Sequence, residues 1–205
     1  KEFDRTLENR TSLLIDYKIH SEKVMADSVR NILGVSSAEL EDTDAIDLVL
    51  NPKKNPYLSE TLNLSHHSKL MRAMNHPHFT FRKKISHTAD SQDQRHRTVP
   101  GSRPILSRHF TLKPDVVVPA LIETDEPAGE YYKEVMEKLW GSIELLLNNG
   151  TEIESVLYLL PNAFPIRFEE SGTLLDFHHK WVHRLCYTAQ EEIWKSCLDE
   201  VSQVE

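Results

Sequence analysis

His78-Phe79-Thr80-Phe81-Arg82-Lys83-Lys84-Ile85-Ser86 (HFTFRKKIS) alternates two phenylalanines with polar neighbours. A period of two marks a strand with one buried face. Phe79 and Phe81 share that face and read as core residues rather than a stacking platform. Outward from this strand most of the chain has helical spacing. Residues 11–33 read as one helix, with Ile15, Ile19, Ala26, Val29 and Leu33 three or four apart and Gly34 as its stop. Ser36 with Glu39 has the form of a capping box that opens a second helix. Pro52 and Pro56 bracket a loop, and 65–74 looks helical. Residues 87–97 suit a polar helix that ends before Pro100-Gly101. Residues 105–122, with three consecutive valines and Pro119, read as extended. Pro127 fits the start of a strongly periodic helix over 128–149, ended by Gly150. Thr151 with Glu154 reads as a capping box for a short helix closed by Pro161. A short strand is expected over 163–169, and helix over 173–200 with a break near Cys186–Thr188. The class is α+β with more helix than strand.

At 205 residues and 23.7 kDa, the chain is one domain in size. Its 39% hydrophobic content suffices for a core. With 24 basic and 32 acidic residues the net charge is −8, a poor match for nucleic acid, whose phosphates need Lys and Arg. No apolar run approaches the roughly 20 residues of a membrane helix, and no stretch resembles a signal peptide. A cytoplasmic location is expected. The chain opens on Lys1 rather than Met, so a preceding segment is expected to be missing. Cys186 and Cys197 are its two cysteines, too few for a disulfide framework or a Cys-rich zinc site. They read as small apolar residues. His179 and His183, four apart, share a helix face as zinc ligands do, but no Glu, Cys or carboxylate stands at ligand spacing. No metal site is expected.

Charge is unevenly spread. Arg82, Lys83, Lys84, Arg95, Arg97, Arg103 and Arg108 crowd into the stretch from Arg82 to His109, opposed there by Asp90 and Asp93 alone. Such a concentration in an acidic chain suits a bound phosphate, or it is a solvated basic face. Within it, Arg95-His96-Arg97 places three cationic or switchable side chains in sequence. If they converge, a polyanionic ligand is the natural compensation. Pro100-Gly101-Ser102-Arg103-Pro104 is a turn that presents Ser102 and Arg103 beside them.

His76-Pro-His-Phe79-Thr80-Phe81, then Gln92 three residues before Arg95-His96-Arg97, resembles the flavin-dependent thymidylate synthases of the ThyX type. Leu160-Pro161, Arg167-Phe168, Arg184, Ala189-Gln190 and Glu192-Ile193 follow at the spacing of that family. The resemblance covers about residues 60–200. Residues 1–58 read as an unmatched N-terminal helical segment, and 59–205 as the domain that carries it. The resemblance implies an antiparallel sheet with packed helices and a homotetramer with active sites between subunits. It implies FAD as cofactor, with NADPH and methylenetetrahydrofolate as co-substrates and a pyrimidine nucleotide, dUMP, methylated at C5. It puts His76, Arg95, His96, Arg97 and Arg184 on FAD. Gln92 and Arg167 fall on the nucleotide, with Ser102, Arg103 and Arg108 as loop candidates beside them. The assignment suits the chemistry, because Arg binds pyrophosphate and phosphate oxygens bidentately. The flavin carries the redox step, so no protein nucleophile is named.

The departures fall on the nucleotide side. Ile105 stands where the family motif has a Ser, and Trp194 where it has an Arg; Lys195 next to it points about 100° round the helix. Two alternatives to dUMP methylation follow. One is a flavin- or nucleotide-binding homologue without synthase activity. The other is methylation of a different nucleotide, such as UMP.

Overall fold

The computed structural model describes residues 2–58 and 67–204. Among them three strands form one antiparallel sheet in the order β1-β2-β3: β1 (Ser12–Tyr17), β2 (His78–Ser86) and β3 (Pro165–Thr173). β2 is the stretch read first as a strand, and it lies at the centre of the sheet. Its register puts Phe81 opposite Glu170 and Lys84 opposite Arg167. The pleat sends Phe81, Lys83 and Ile85 to a buried face, together with Ile166, Phe168 and Glu170 from β3. Arg82, Lys84, Arg167 and Glu169 point the other way.

Ten α-helices surround the sheet among the described residues: α1 (Glu2–Thr6), α2 (Ser21–Leu33), α3 (Asp42–Leu50), α4 (His87–Asp93), α5 (Leu106–His109), α6 (Ala120–Glu123), α7 (Glu126–Asn148), α8 (Ile153–Val156), α9 (Leu174–Arg184) and α10 (Glu191–Val201). Phe81, Ile85, Ile166 and Phe168 pack with Phe177 and Trp181 of α9, Ile193 and Cys197 of α10 and Trp140 of α7 in one core. A second core joins Met25 and Val29 of α2, Ala45 and Val49 of α3, and Met71 and Met74, with Leu175 of α9 on its border. The class is α+β, as expected. No helix among the described residues is long and apolar enough to cross a membrane.

The single helix expected over 11–33 is two elements. Residues 12–17 pair with β2, with an irregularity between Leu14 and Asp16. Ile15 and Ile19 fit helical spacing by coincidence, and ladder pairing overrides that local period. Helix α2 starts at Ser21, after a left-handed His20, and ends as expected at Gly34, whose φ of 71° suits a residue without Cβ. The Ser36–Glu39 pair does form, with the Ser36 N–H and hydroxyl both donating to Glu39 Oε2 at 2.8 and 2.7 Å. It closes a turn, and α3 begins later. Of the helix expected over 65–74, residues 65 and 66 lie outside the described residues, and Met71–Asn75 is a 3-10 helix. The polar helix from residue 87 stops at Asp93. The 105–122 stretch forms no strand; it carries α5 and α6 at its ends, and in between Val117 N–H donates to the Ala163 carbonyl. Asp125 caps α7 by accepting from Ala128 N–H. Glu152 rather than Thr151 precedes α8, and makes no side-chain cap. The expected strand at 163–169 runs on to Thr173, and the last helix breaks where expected, into α9 and α10.

Candidate functional site

The candidate residues depend on how α4 is held. Ser86 caps it, accepting from Ala89 N–H at 3.1 Å. Glu192 of α10 in turn accepts from the Ser86 N–H at 2.6 Å and its hydroxyl at 2.5 Å. At the other end the chain coils tightly. Arg95 N–H donates to the Gln92 carbonyl, His96 N–H to the Asp93 carbonyl, and Val99 N–H to the His96 carbonyl. Val99 is buried. Beyond it the chain lies along the free edge of β3, with Ser171 N–H donating to the Pro100 carbonyl and Ser102 N–H to the Glu169 carbonyl. Arg95-His96-Arg97 is thus a short turn pinned on both sides.

That turn lies against the last turns of α9. The His96 ring is 6.0 Å from the His179 ring and 6.2 Å from that of His183, which are 4.5 Å from each other. His183 Nδ1 donates to the His179 carbonyl at 2.8 Å. Arg184 Nη2 donates to the Gln92 carbonyl at 2.8 Å. Gln92, Arg95, His96, Arg97 and Arg184 are therefore brought together from two distant segments. Burial, then the charges of Arg184 and Lys180, push the His96 imidazole down to about 4, so it is neutral at pH 7. His96 Nε2 and Arg184 Nε are buried and find no hydrogen-bond partner among the described residues. Arg95 and Arg97 are exposed. Two unmet buried polar atoms beside two solvent-facing guanidiniums fit a polyanionic ligand such as FAD.

Other candidates lie elsewhere. His76 follows the 3-10 helix, with Nε2 3.2 Å from Ser28 Oγ of α2. It sits near the start of α9, where Leu174 N–H donates to the Pro77 carbonyl. Eleven helical residues separate that end from the other, about 16 Å. Arg167 is buried, and Asp4 accepts from its Nε at 2.6 Å and its Nη2 at 2.8 Å. Asp115 accepts from Nη2 at 3.2 Å. Arg103 donates from Nε to Asp90 at 2.7 Å, and its guanidinium lies 4.5 Å from the Phe168 ring centre. Ser102 and Arg108 are exposed, and so is Ile105, at 70%. A cleft of about 580 Å³ lies at the Ser86 end of α4, lined by Thr88, Val117, Met136, Gln190 and Glu192 among others, and does not include the Arg95–Arg97 turn.

Much of the basic concentration is neutralised inside the chain. Arg82 pairs with Glu169, Lys84 with Asp4, Arg103 with Asp90, and Lys83 with three buried carboxylates. Sequence reasoning missed Lys83, whose place two residues after Phe81 already put it on the buried face. Asp93 and Asp90 do balance a neighbouring arginine, with Arg103 2.7 Å from Asp90 and 3.5 Å from Asp93 Oδ2, but Asp93 Oδ1 is also held by Lys83 and Lys180, which the sequence did not show. Of the two cysteines, Cys197 is buried as expected and Cys186 is exposed. Among the described residues no group of three or more His, Cys, Asp or Glu stands where it could hold a metal ion.

Two curated proteins resemble the chain. It is 28% identical over 141 residues to the flavin-dependent thymidylate synthase of Geobacter sulfurreducens, a match covering 67% of this chain and 59% of that protein. It is 26% identical over 170 residues to the enzyme of the same name from Pyrococcus furiosus, covering 78% of this chain and 68% of that one. The chain thus spans under two thirds of the first relative. The sequence profile of the thymidylate synthase complementing protein family matches residues 13–205, which takes in β2, β3 and all of β1 but Ser12, the Arg95-His96-Arg97 turn and the helix that carries Arg184. With nearly its whole length matched, the chain belongs to the thymidylate synthase complementing protein family.

Proposed function

We propose that the chain is a cytoplasmic, flavin-dependent methyltransferase that converts dUMP to dTMP, with methylenetetrahydrofolate as one-carbon donor and NADPH as reductant. The observation that carries this reading is the convergence of Arg95, His96, Arg97 and Arg184 at the end of α9, in a chain of this family. Arg95 and Arg97 bind the FAD pyrophosphate as bidentate donors. Arg184 keeps the turn closed through the Gln92 carbonyl and offers Nε to the ligand. Neutral His96 gives or takes one hydrogen bond at Nε2 without adding charge. Bound flavin supplies the hydride chemistry, and nearby cations stabilise negative charge on its ring. His76 lies about a helix length away. It reaches a flavin if the site is completed by a second copy, and a homotetramer with sites between subunits meets that requirement.

A second reading is favoured by one observation. The guanidinium of Arg167, the candidate for the nucleotide, is occupied by Asp4 and Asp115. In that reading the protein binds flavin or nucleotide without synthase activity. A shift of substrate to UMP is the third outcome. The visible absorption spectrum decides among them, recorded before and after addition of FAD and then with dUMP and UMP. Oxidised-flavin bands that move with dUMP, together with tritium release from C5-labelled dUMP, are expected. Bands without nucleotide response favour the second reading, and a response to UMP alone favours the third. A colourless protein that ignores FAD overturns the first and third readings and leaves the second only as nucleotide binding.

A further inference from the structure

Five ionisable side chains meet out of reach of water. Lys83 of β2, Asp93 at the end of α4, Glu170 of β3, Lys180 of α9 and Glu200 of α10 are each at most 2% exposed. Lys83 Nζ is 3.3 Å from Asp93 Oδ1, 3.0 Å from Glu170 Oε1 and 2.7 Å from Glu200 Oε1. Lys180 Nζ is 3.1 Å from Asp93 Oδ1 and 3.5 Å from Glu200 Oε1, and makes its closest contact with Glu170 Oε1. Trp181 Nε1 donates to Glu200 Oε2 at 2.8 Å, and Ser12 Oγ to Glu200 Oε1 at 3.4 Å. Arg103 Nη2 is 3.5 Å from Asp93 Oδ2. Apolar side chains of the same volume would stabilise a core at least as well, so such a cluster calls for a role besides stability. One arm ends at Asp93, whose carbonyl accepts the His96 N–H at 3.1 Å. A second runs through Lys180, on the same helix as Arg184.

We propose that Asp93 is a positioning residue through which this buried cluster holds the Arg95-His96-Arg97 turn in shape, and that a single proton on Glu170 sets how firmly it holds. The inference rests on the reading that this turn binds the flavin. Two ammoniums face three carboxylates, and the Arg103 guanidinium beside Asp93 is matched by its closer partner Asp90, 2.7 Å away, so the fully ionised cluster carries one uncompensated negative charge in a dry interior. One bound proton removes it. Glu170 faces Lys83 from β2, Lys180 from α9, Asp93 from α4 and Glu200 from α10. The Cys197 thiol of α10, also beside the cluster, is kept protonated by burial, and His96 next to Asp93 and Lys180 is neutral. Burial lifts the Glu170 carboxyl to about 7, against the pull of the two lysines. Those lysines hold Asp93 and Glu200 below the usual carboxylate range. Neutral Glu170 leaves both ammoniums to Asp93 and Glu200. Ionised Glu170 competes for the same two groups, and the hold on Asp93 weakens. For a carboxyl raised on folding, the stabilisation is complete below its unfolded value and is lost as pH rises towards 7.

The test uses the full chain as wild type, Glu170→Gln and Asp93→Asn. Amide hydrogen exchange of peptides covering residues 92–99, corrected for intrinsic rates, needs no flavin. FAD affinity is read by fluorescence over the same range. Between pH 6 and pH 8.5 the wild-type turn is expected to lose protection by about tenfold, the equivalent of one unit of carboxyl shift, and FAD affinity to fall in parallel. Glu170→Gln is expected to keep both flat, because its charge count is already balanced. Asp93→Asn is expected to lose protection of the turn at every pH; if it fails to fold, the Glu170→Gln comparison stands alone. Wild-type protection that ignores pH in this window, or Glu170→Gln that follows the wild-type curve, overturns the proposal. A pH-dependent turn in a protein that binds no FAD supports the positioning role and rejects the flavin reading.

Discussion

Asp4 and Arg167 are 163 positions apart, yet the carboxylate of the first accepts two hydrogen bonds from the guanidinium of the second, at 2.6 and 2.8 Å. Arg167 is 1% exposed and Asp4 29%. The pair fastens α1 across the outer face of the sheet. Lys84, opposite Arg167 in the ladder, reaches Asp4 as well, and Arg82 lies over the Phe3 ring at 5.1 Å. A short terminal helix, too short to be stable alone, is thus fixed by the basic residues of two strands.

Replacing Asp4 by Asn leaves Arg167 with Asp115 as its remaining charged partner. The expected loss of stability is about 1–2 kcal/mol, at the low end for a charged hydrogen bond because Asp4 is partly solvated. The Arg167 and Lys84 hydrogen bonds hold the Asp4 carboxyl well below the usual carboxylate range. Its stabilisation is therefore complete above the ordinary carboxyl value of about 4 and is lost as pH falls further. Urea midpoints at pH 5 and pH 3 check this, with a smaller acid loss in Asp4→Asn than in wild type. If a nucleotide phosphate is to reach Arg167 it must displace Asp4, so the same variant should also bind dUMP severalfold more tightly.

Arg184→Met should separate ligand binding from folding. Among the described residues the side chain makes one hydrogen bond, to the Gln92 carbonyl, and its Nε is unmet. The aliphatic replacement keeps the stem. FAD affinity is expected to fall by about tenfold or more, the scale of one charge-assisted contact, with the unfolding midpoint little changed. Equal loss of both would assign Arg184 to the fold alone.

Much of this was legible in the sequence, and the gaps have physical causes. The alternation of Phe79 and Phe81 disclosed β2, and the long periodicity before Gly150 disclosed α7, because each element is one-sided and locally determined. Strand β1 was hidden because its pairing partner lies some 60 residues away and Ile15, with Ile19 just beyond the strand, mimics helical spacing. Asp93 was visible as a residue but its environment was not. The carboxylates and lysines of the buried cluster come from five elements, and no local pattern announces a contact between positions 83, 93, 170, 180 and 200. The site showed the same division. Arg95-His96-Arg97 stood out as a triplet, whereas the occupation of Arg167 by Asp4 depended on tertiary structure.

Ser86 and Glu192 form a joint whose two halves can be told apart. Ser86→Ala removes the cap of α4 and strands one oxygen of Glu192, at a cost of about 1–2 kcal/mol. Glu192→Gln keeps an acceptor but loses the charge that receives both Ser86 donors. Its loss is expected to be similar. Because both side chains serve one joint, the double variant should cost less than the sum, and thermal unfolding of the three proteins measures that coupling.

Gly101→Ala tests the approach of the loop to β3. A Cβ there would lie 2.6 Å from Arg103 Nη1 and 2.8 Å from Phe168 Cδ2. The arginine end can move, but the Phe168 ring is buried in the main core. Overpacking of this kind costs about 1–3 kcal/mol. The accompanying shift of Arg103 frees Asp90, whose carboxyl burial already pushes up, so the variant's loss in a denaturant titration should grow as pH rises above the ordinary carboxyl value of about 4.

Ile105→Ser addresses the departure from the family motif directly. Ile105 is 70% exposed at the start of α5 and belongs to neither hydrophobic core. An exposed position of this kind tolerates exchange within about 0.5 kcal/mol. Ser also caps helices better than Ile, which offsets the lost β-branched bulk. Stability should therefore hold, while the added hydroxyl offers a hydrogen bond to a nucleotide phosphate near the exposed Ser102 and Arg108. If the protein binds dUMP, its affinity should rise about three- to tenfold in the variant, on the scale of one net hydrogen bond. Titration of the flavin spectrum with dUMP measures it. An unchanged affinity in a stable variant would place the nucleotide away from this loop, and would leave Gln92 and Arg167 as the residues to examine next.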